Sequence, residues 1–127
     1  MKALTVCQPY AHLIALDEKP VENRTWATTY RGPLAIHAGM SRAWLEGPEG
    51  NLVFGAVVAV ATLSEVLAHA KLPPDLRDHR HSLGPVCWVL TNVKRLPRPV
   101  PCRGAQGLWN LPTDVYGDVR AQLEAGA

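Results

Sequence analysis

The chain has 127 residues, of which 47% are hydrophobic and 19% charged, with 13 basic side chains against 11 acidic ones. That length allows one domain over residues 1–127 and no second, and the composition excludes a disordered or fibrous protein. A net charge of +2 is too mild to establish nucleic-acid binding by itself.

Residues 2–6 read as a first strand. Pro9 suits the first turn of a helix running to about residue 16, where its missing N–H costs nothing. Residues 17–20 form a polar turn and 21–26 are extended. Extension projects Glu22, Arg24 and Trp26 from one face and Val21, Asn23 and Thr25 from the other. A turn at Arg31-Gly32-Pro33 leads into a strand over 34–38, with Leu34 and Ile36 on one face and His37 on the opposite one. Ser41 is placed to cap a short helix through Ala43, Trp44 and Leu45, which Gly47-Pro48 would end. Residues 53–63 are apolar on both faces and rich in valine and alanine, which favours a long strand buried on both sides. The proline- and charge-rich stretch 68–83 reads as an excursion outside the core, and 86–96 as another strand, with Trp88 and Leu90 on one face. Pro97, Pro99 and Pro101 cannot donate to a central ladder, so 95–103 is an edge or a loop. Residues 107–109 make a last short strand, and a helix over 112–125 packs through Val115, Val119 and Leu123.

Five to six strands, two to three short helices and no βαβ rhythm argue for an α+β domain around a small mixed β-barrel. In a chain too small for three layers, the doubly buried strand bends so that one face fills the barrel and the other meets helices. The expected barrel core is Leu34, Ile36, Val57, Val58, Val60, Val89 and Leu90. Cys7, Cys87 and Cys102 form no C-x-x-C pair, which argues against a disulfide framework or a zinc ribbon and for a reducing compartment. Gln8, Pro9 and His12 interrupt what would be the apolar region of a signal peptide. The longest apolar run, 52–63, is too short to span a bilayer. A cytoplasmic protein without membrane association is expected.

Three stretches in order, Leu4-Thr5-Val6-Cys7-Gln8-Pro9-Tyr10-Ala11, Asp17-Glu18-Lys19-Pro20-Val21-Glu22-Asn23-Arg24 and Tyr30-Arg31-Gly32-Pro33-Leu34-Ala35-Ile36-His37, resemble the ASCH domain family. They match its opening strand into Gln-Pro-Trp, its G-x-K-x-x-E-x-R signature, and its turn and strand ending in histidine. The strand around 57–63 and the closing Gly107-Leu108-Trp109 also fit in order, so the resemblance covers nearly the whole chain. It implies a PUA-like fold and an RNA- or nucleoside-sized ligand in a cleft built around the signature. Two departures stand out. Asp17 occupies the glycine position, which predicts a different backbone in the turn before Lys19, and Tyr10 occupies the tryptophan position. One branch of small bacterial members deacylates N4-acetylcytidine with a lysine, a threonine three positions later and a distant glutamate. Lys19 matches the lysine, Glu22 stands at the threonine position, and Glu65 is the candidate distant carboxylate.

Within the signature, Glu22 would accept from an exocyclic amine while Lys19 and Arg24 meet phosphate or carbonyl oxygens. The alternative is an ion pair in which Glu22 orients Arg24 and fixes the turn. Lys19, on a turn with a flexible stem, is the better candidate for ligand contact, and its loss should spare thermal stability. Tyr10, Trp26 and Trp109 are candidate stacking surfaces against a core-packing alternative, with Trp44 and Trp88 assigned to the core. Gln8, Arg31 and His37 complete the candidate ligand contacts, and Arg95, Arg98 and Arg103 are further candidates for phosphate. His79-Arg80-His81, with His69 and Cys87, is a weak metal pattern and reads better as a solvated basic loop. No metal, cofactor, protein partner, serine nucleophile or phosphate-binding glycine loop is implied. The second functional reading is a hydrolase of a modified nucleoside or of RNA, with Lys19 as base and Glu22 or Glu65 as carboxylate partner.

Overall fold

Valine and alanine in alternation make the middle of the chain a strand whose two faces both seek cover. The computed structural model describes residues 1–47 and 50–126. In it this strand is β4 (Ala56–Ala68), which starts later and runs further than the apolar run suggests. It lies between β3 (Gly32–Ala38) and β5 (Val86–Pro101), antiparallel to both. The first strand, β1 (Lys2–Val6), pairs in parallel with β3, and β6 (Leu108–Asn110) pairs antiparallel with β1. At the far side, β2 (Val21–Arg24) pairs antiparallel with the start of β5, with Glu22 opposite Trp88. Among the described residues the sheet has six strands in the order β2-β5-β4-β3-β1-β6, curled into a half-barrel, and three α-helices. The fold class is α+β with a mixed sheet, as the sequence predicts.

Helix α1 (Tyr10–Ala15) buries Ala11, Ile14 and Ala15 against Leu4, Leu34, Ile36, Val58 and Leu90 on one face of the sheet. Helix α3 (Thr113–Ala125) covers the other face, where Val115 and Val119 meet Ala35, Val57, Val60 and Val100. All seven expected core residues are buried. They do not share one interior, because neighbouring residues of a strand point to opposite faces. Val57 and Val60 lie under α3, and Val89 belongs to a third cluster with Val21, Leu72 and Cys87. Helix α2 (Pro74–Arg77) sits in the excursion between β4 and β5.

Of the two readings open for 95–103, the edge holds: β5 continues through Pro97, Pro99 and Pro101 rather than ending in a loop. Its partner β2 reaches only to Val89, so these prolines face no ladder on that side. Instead the Gln122 carboxamide of α3 accepts from the Arg98 N–H and donates to the Arg98 carbonyl, both at 3.0 Å, as a neighbouring strand would. The segment after Ser41 is a turn at Ala43 and Trp44 rather than a helix. Ser41 Oγ still accepts from the Ala43 N–H at 3.3 Å, but a run this short is marginal as an isolated helix. Pro48, expected to end that helix, lies outside the described residues.

A buried polar knot ties β1, β3 and the chain before β6. His37 is 1% exposed, and its Nε2 donates to the Cys102 carbonyl at 2.8 Å. Its Nδ1 must then accept, and it takes the Thr5 hydroxyl at 3.2 Å. Thr5 Oγ1 in turn accepts from Trp109 Nε1 at 3.2 Å. Gly104 covers the knot, since a Cβ there would lie 2.7 Å from Thr5 Oγ1.

Burial lowers the pKa of His37, and the bond to the Cys102 carbonyl opposes it. A histidine with a depressed folded-state pKa contributes stability that is complete above the unfolded value and is lost as pH falls through the folded one. The melting temperature should therefore fall between about pH 7.5 and 5.5. A His37→Gln variant should be less stable at the upper pH and lose part of that slope. Equal slopes in thermal denaturation of the two proteins would remove His37 as the source.

Candidate ligand cleft

β2 and β1 lie four places apart in the sheet, yet the curl brings them within one side chain of each other. Arg24 Nη2 donates to the Thr5 carbonyl at 2.8 Å across that opening. A cleft of about 730 Å3 occupies it, within the range of roughly 300–1,000 Å3 usual for small-molecule sites.

Its floor is an ionic triad. Glu22 Oε1 accepts from Lys19 Nζ at 3.0 Å, and Glu22 Oε2 pairs with Arg24 Nη2 at 2.7 Å. Lys19 Nζ also donates to the Val21 carbonyl. Extension explains the pairing of Glu22 with Arg24, since residues two apart share a strand face. Lys19 arrives from the turn after α1, where the N–H groups of Glu18 and Lys19 both bond the Leu13 carbonyl. Asp17 makes that turn at φ 61. This is the left-handed region that glycine favours and aspartate tolerates. Lys19 is 3% exposed. The expectation that the loss of Lys19 spares stability is corrected: its ammonium lines the cleft but is buried and bonded to Glu22 Oε1 and the Val21 carbonyl. Arg24 Nε is buried and has no hydrogen-bond partner.

The mouth is apolar and basic. Tyr10, at the start of α1, lies 6.5 Å from Trp44 between ring centroids, and Lys19 Nζ sits 5.8 Å from the Tyr10 ring. Trp44 is 60% exposed, Met40 62% and Leu83 75%, and all three line the cleft. Arg80 and His81 border it from the loop before β5. Cys7 also lines it, with its thiol pKa raised by burial and then by Glu22.

Of the sequence candidates, Tyr10, Lys19, Glu22 and Arg24 come together here. Gln8 does not: it is buried, accepts from the His12 N–H at 2.9 Å and donates to the Val53 carbonyl at 2.7 Å, so it fastens α1. Trp26 packs edge-on against Trp88, centroids 4.7 Å apart, and its carbonyl takes the Trp88 Nε1–H. His37 and Trp109 belong to the knot, their rings edge-on with centroids 5.3 Å apart, and only its Thr5 lines the cleft. Arg31 is exposed and bonds the Thr28 and Tyr30 carbonyls. Glu65 is exposed on β4 and does not line the cleft. Arg95 borders a smaller cavity of about 250 Å3, while Arg98 and Arg103 are exposed and border neither. His69 turns to the Arg77 and Ser82 carbonyls, and among the described residues no three His, Cys, Asp or Glu side chains are grouped for a metal. The sequence reading missed Trp44, Arg80 and His81 as cleft residues. The signal for Trp44 was its place in a polar stretch without apolar periodicity, where core packing has no partner face.

Truncating one member of a buried ion pair leaves an uncompensated charge, at about 1–3 kcal/mol or more. Lys19→Ala, Glu22→Ala and Arg24→Ala should each lower the melting temperature by several degrees, Glu22→Ala most because it orphans two cations. The Glu22→Ala/Arg24→Ala pair should cost less than the two single losses together. A thermal double-mutant cycle with additive effects would contradict the triad.

The family model for the ASCH domain matches residues 4–99. The crystal structure of ASCH from Zymomonas mobilis is similar over 94% of this chain and 93% of its own, at a TM-score of 0.60 and 14% identity. A tyrosine-to-phenylalanine variant of that protein matches at 0.59 and 14% identity, over 94% of this chain and 96% of its own. A serine-to-alanine variant matches at 0.59 and 13% identity, over 94% of each chain. At this identity the likeness is one of fold, the PUA-like mixed sheet with its helices. No curated protein matches the chain. That model spans most of the sequence, and the chain belongs to the ASCH domain family.

Proposed function

We propose that the cleft binds a nucleobase, either in a nucleoside-sized ligand or in single-stranded RNA. The observation that carries this reading is the pairing of an ionic floor with an exposed aromatic and apolar mouth in one cleft of about 730 Å3. A base has a hydrogen-bonding edge and a flat face, and needs both kinds of surface. Glu22 accepts from only two cations and keeps lone pairs for an amine. Trp44, Met40 and Leu83 offer apolar surface for the ring.

Hydrolysis of a modified nucleoside or of RNA is the second reading, and it lacks assembled parts. Lys19 Nζ is held by Glu22 and the Val21 carbonyl, position 22 carries no hydroxyl, and Glu65 is elsewhere on β4.

Titration with the four common ribonucleosides and with short single-stranded RNAs, followed by mass spectrometry of the recovered ligand, tests both readings. Saturable binding without a mass change is expected. Trp44→Ala should weaken it about tenfold, given that stacking contributes about 1–3 kcal/mol per base. Unchanged binding by Trp44→Ala would remove the stacking surface, and turnover would establish the second reading.

A further inference from the structure

The cleft faces three cations, Lys19, Arg24 and Arg80, with one carboxylate, Glu22, among its lining residues. Glu22 is shared between Lys19 and Arg24. Arg80 differs. It is exposed, and among the described residues no carboxylate pairs with it. Its one hydrogen bond is from Nε to His81 Nε2 at 3.3 Å, which leaves both terminal nitrogens of the fork without protein acceptors.

The loop that carries Arg80 is held from two sides. Asn23 Nδ2 donates to the His81 carbonyl, and Asn23 Oδ1 accepts from the Leu83 and Gly84 N–H groups, each at 2.9 Å. His69 Nε2 bonds the Arg77 and Ser82 carbonyls, each at 3.1 Å. The His81 N–H donates to His79 Nδ1 at 3.1 Å. The arginine fork is thus an unneutralised cation, carried by an anchored loop and bonded through Nε to His81, at the rim of the cleft.

We propose that Arg80, steadied by His81 and by the Asn23 clamp, is a phosphate subsite, so that the ligand is a phosphorylated nucleotide or an RNA phosphodiester rather than a free nucleoside. The proposal rests on the nucleobase reading for the other half of the ligand. A guanidinium fork matches two phosphate oxygens, and a rigid support spares it the ordering entropy of a free side chain. His81 is suited to hold Arg80. Its pKa is lowered by burial, then by Arg80, Lys19 and His79, against Glu18, so near neutral pH its ring keeps the lone pair that takes the Arg80 Nε–H.

Calorimetric titration at fixed low salt should compare the four ribonucleosides, their 5′- and 3′-monophosphates, a five-residue single-stranded RNA without terminal phosphates, and ribose 5-phosphate. The best phosphorylated probe should bind about tenfold tighter than its nucleoside, in line with a hydrogen bond to a charged group. Arg80→Ala should abolish that gain and leave nucleoside affinity and melting temperature unchanged, and Arg80→Lys should keep part of it. His81→Ala should reduce it, as expected of a positioning residue. A gain confined to the RNA assigns the subsite to the phosphodiester backbone, and one confined to the monophosphates assigns it to a mononucleotide. Equal binding of nucleosides and phosphorylated probes, unaffected by Arg80→Ala, would overturn the subsite and leave the base reading intact. Arg80-dependent binding of ribose 5-phosphate with no added affinity from any base would support the subsite and overturn the base reading. Binding of none of these probes would overturn both.

Discussion

The sharing of one carboxylate between two cations holds the site and closes the fold. An open six-stranded sheet leaves its outer strands free, and a curl needs something to bridge the opening. Arg24 does this by reaching from β2 to the Thr5 carbonyl of β1. It keeps that direction because Glu22 grips the same nitrogen at 2.7 Å. Glu22 is itself mostly buried, and tolerates burial because Lys19 neutralises it from the turn. Desolvating such a set is costly unless every partner is present. The triad is therefore structural before it is functional, and the cleft exists because the bridge spans a gap instead of filling it.

Much of this was legible in the sequence, for physical reasons that differ by element. Strands β1 and β3 and helix α3 follow from apolar alternation and helical spacing, which are local. The pairing of Glu22 with Arg24 follows from strand parity. The burial of Lys19 does not, because it depends on how α1 ends. Two N–H groups converge on the Leu13 carbonyl and draw the chain inward at Asp17. Gln8 and His37 belonged to family-like stretches and drew a ligand reading, yet both are consumed by buried hydrogen bonds, one fastening α1 and the other joining β1, β3 and Cys102. A buried polar residue and a binding residue look alike in sequence, since both are polar groups where the pattern wants apolar ones.

The proline-rich half of β5 shows the reverse case, in which local chemistry was read correctly and its extent was not. Prolines at 97, 99 and 101 cannot face a second ladder, and they do not. The strand nevertheless persists, because β4 continues to pair with it and Gln122 supplies a donor and an acceptor at Arg98. A side-chain amide borrowed from a helix thus stands in for a missing neighbour strand.

The same logic of parity sets the geometry of the cleft. β2 is four residues long, and its two faces have separate tasks: Glu22 and Arg24 build the floor, while Asn23 grips the loop that brings Arg80, His81 and Leu83 to the rim. A slip of one residue against β5 would exchange these faces, turning the carboxylate toward the loop and the amide toward the cleft. What prevents the slip is Val21, fully buried in the small cluster with Leu72, Cys87 and Val89 and paired with Val89. Exchanging the faces would turn that valine out of its cluster and carry Glu22, with Arg24 beside it, into the apolar place it leaves. The smallest of the three apolar clusters thereby fixes both the floor and the rim, although none of its side chains lines the cleft.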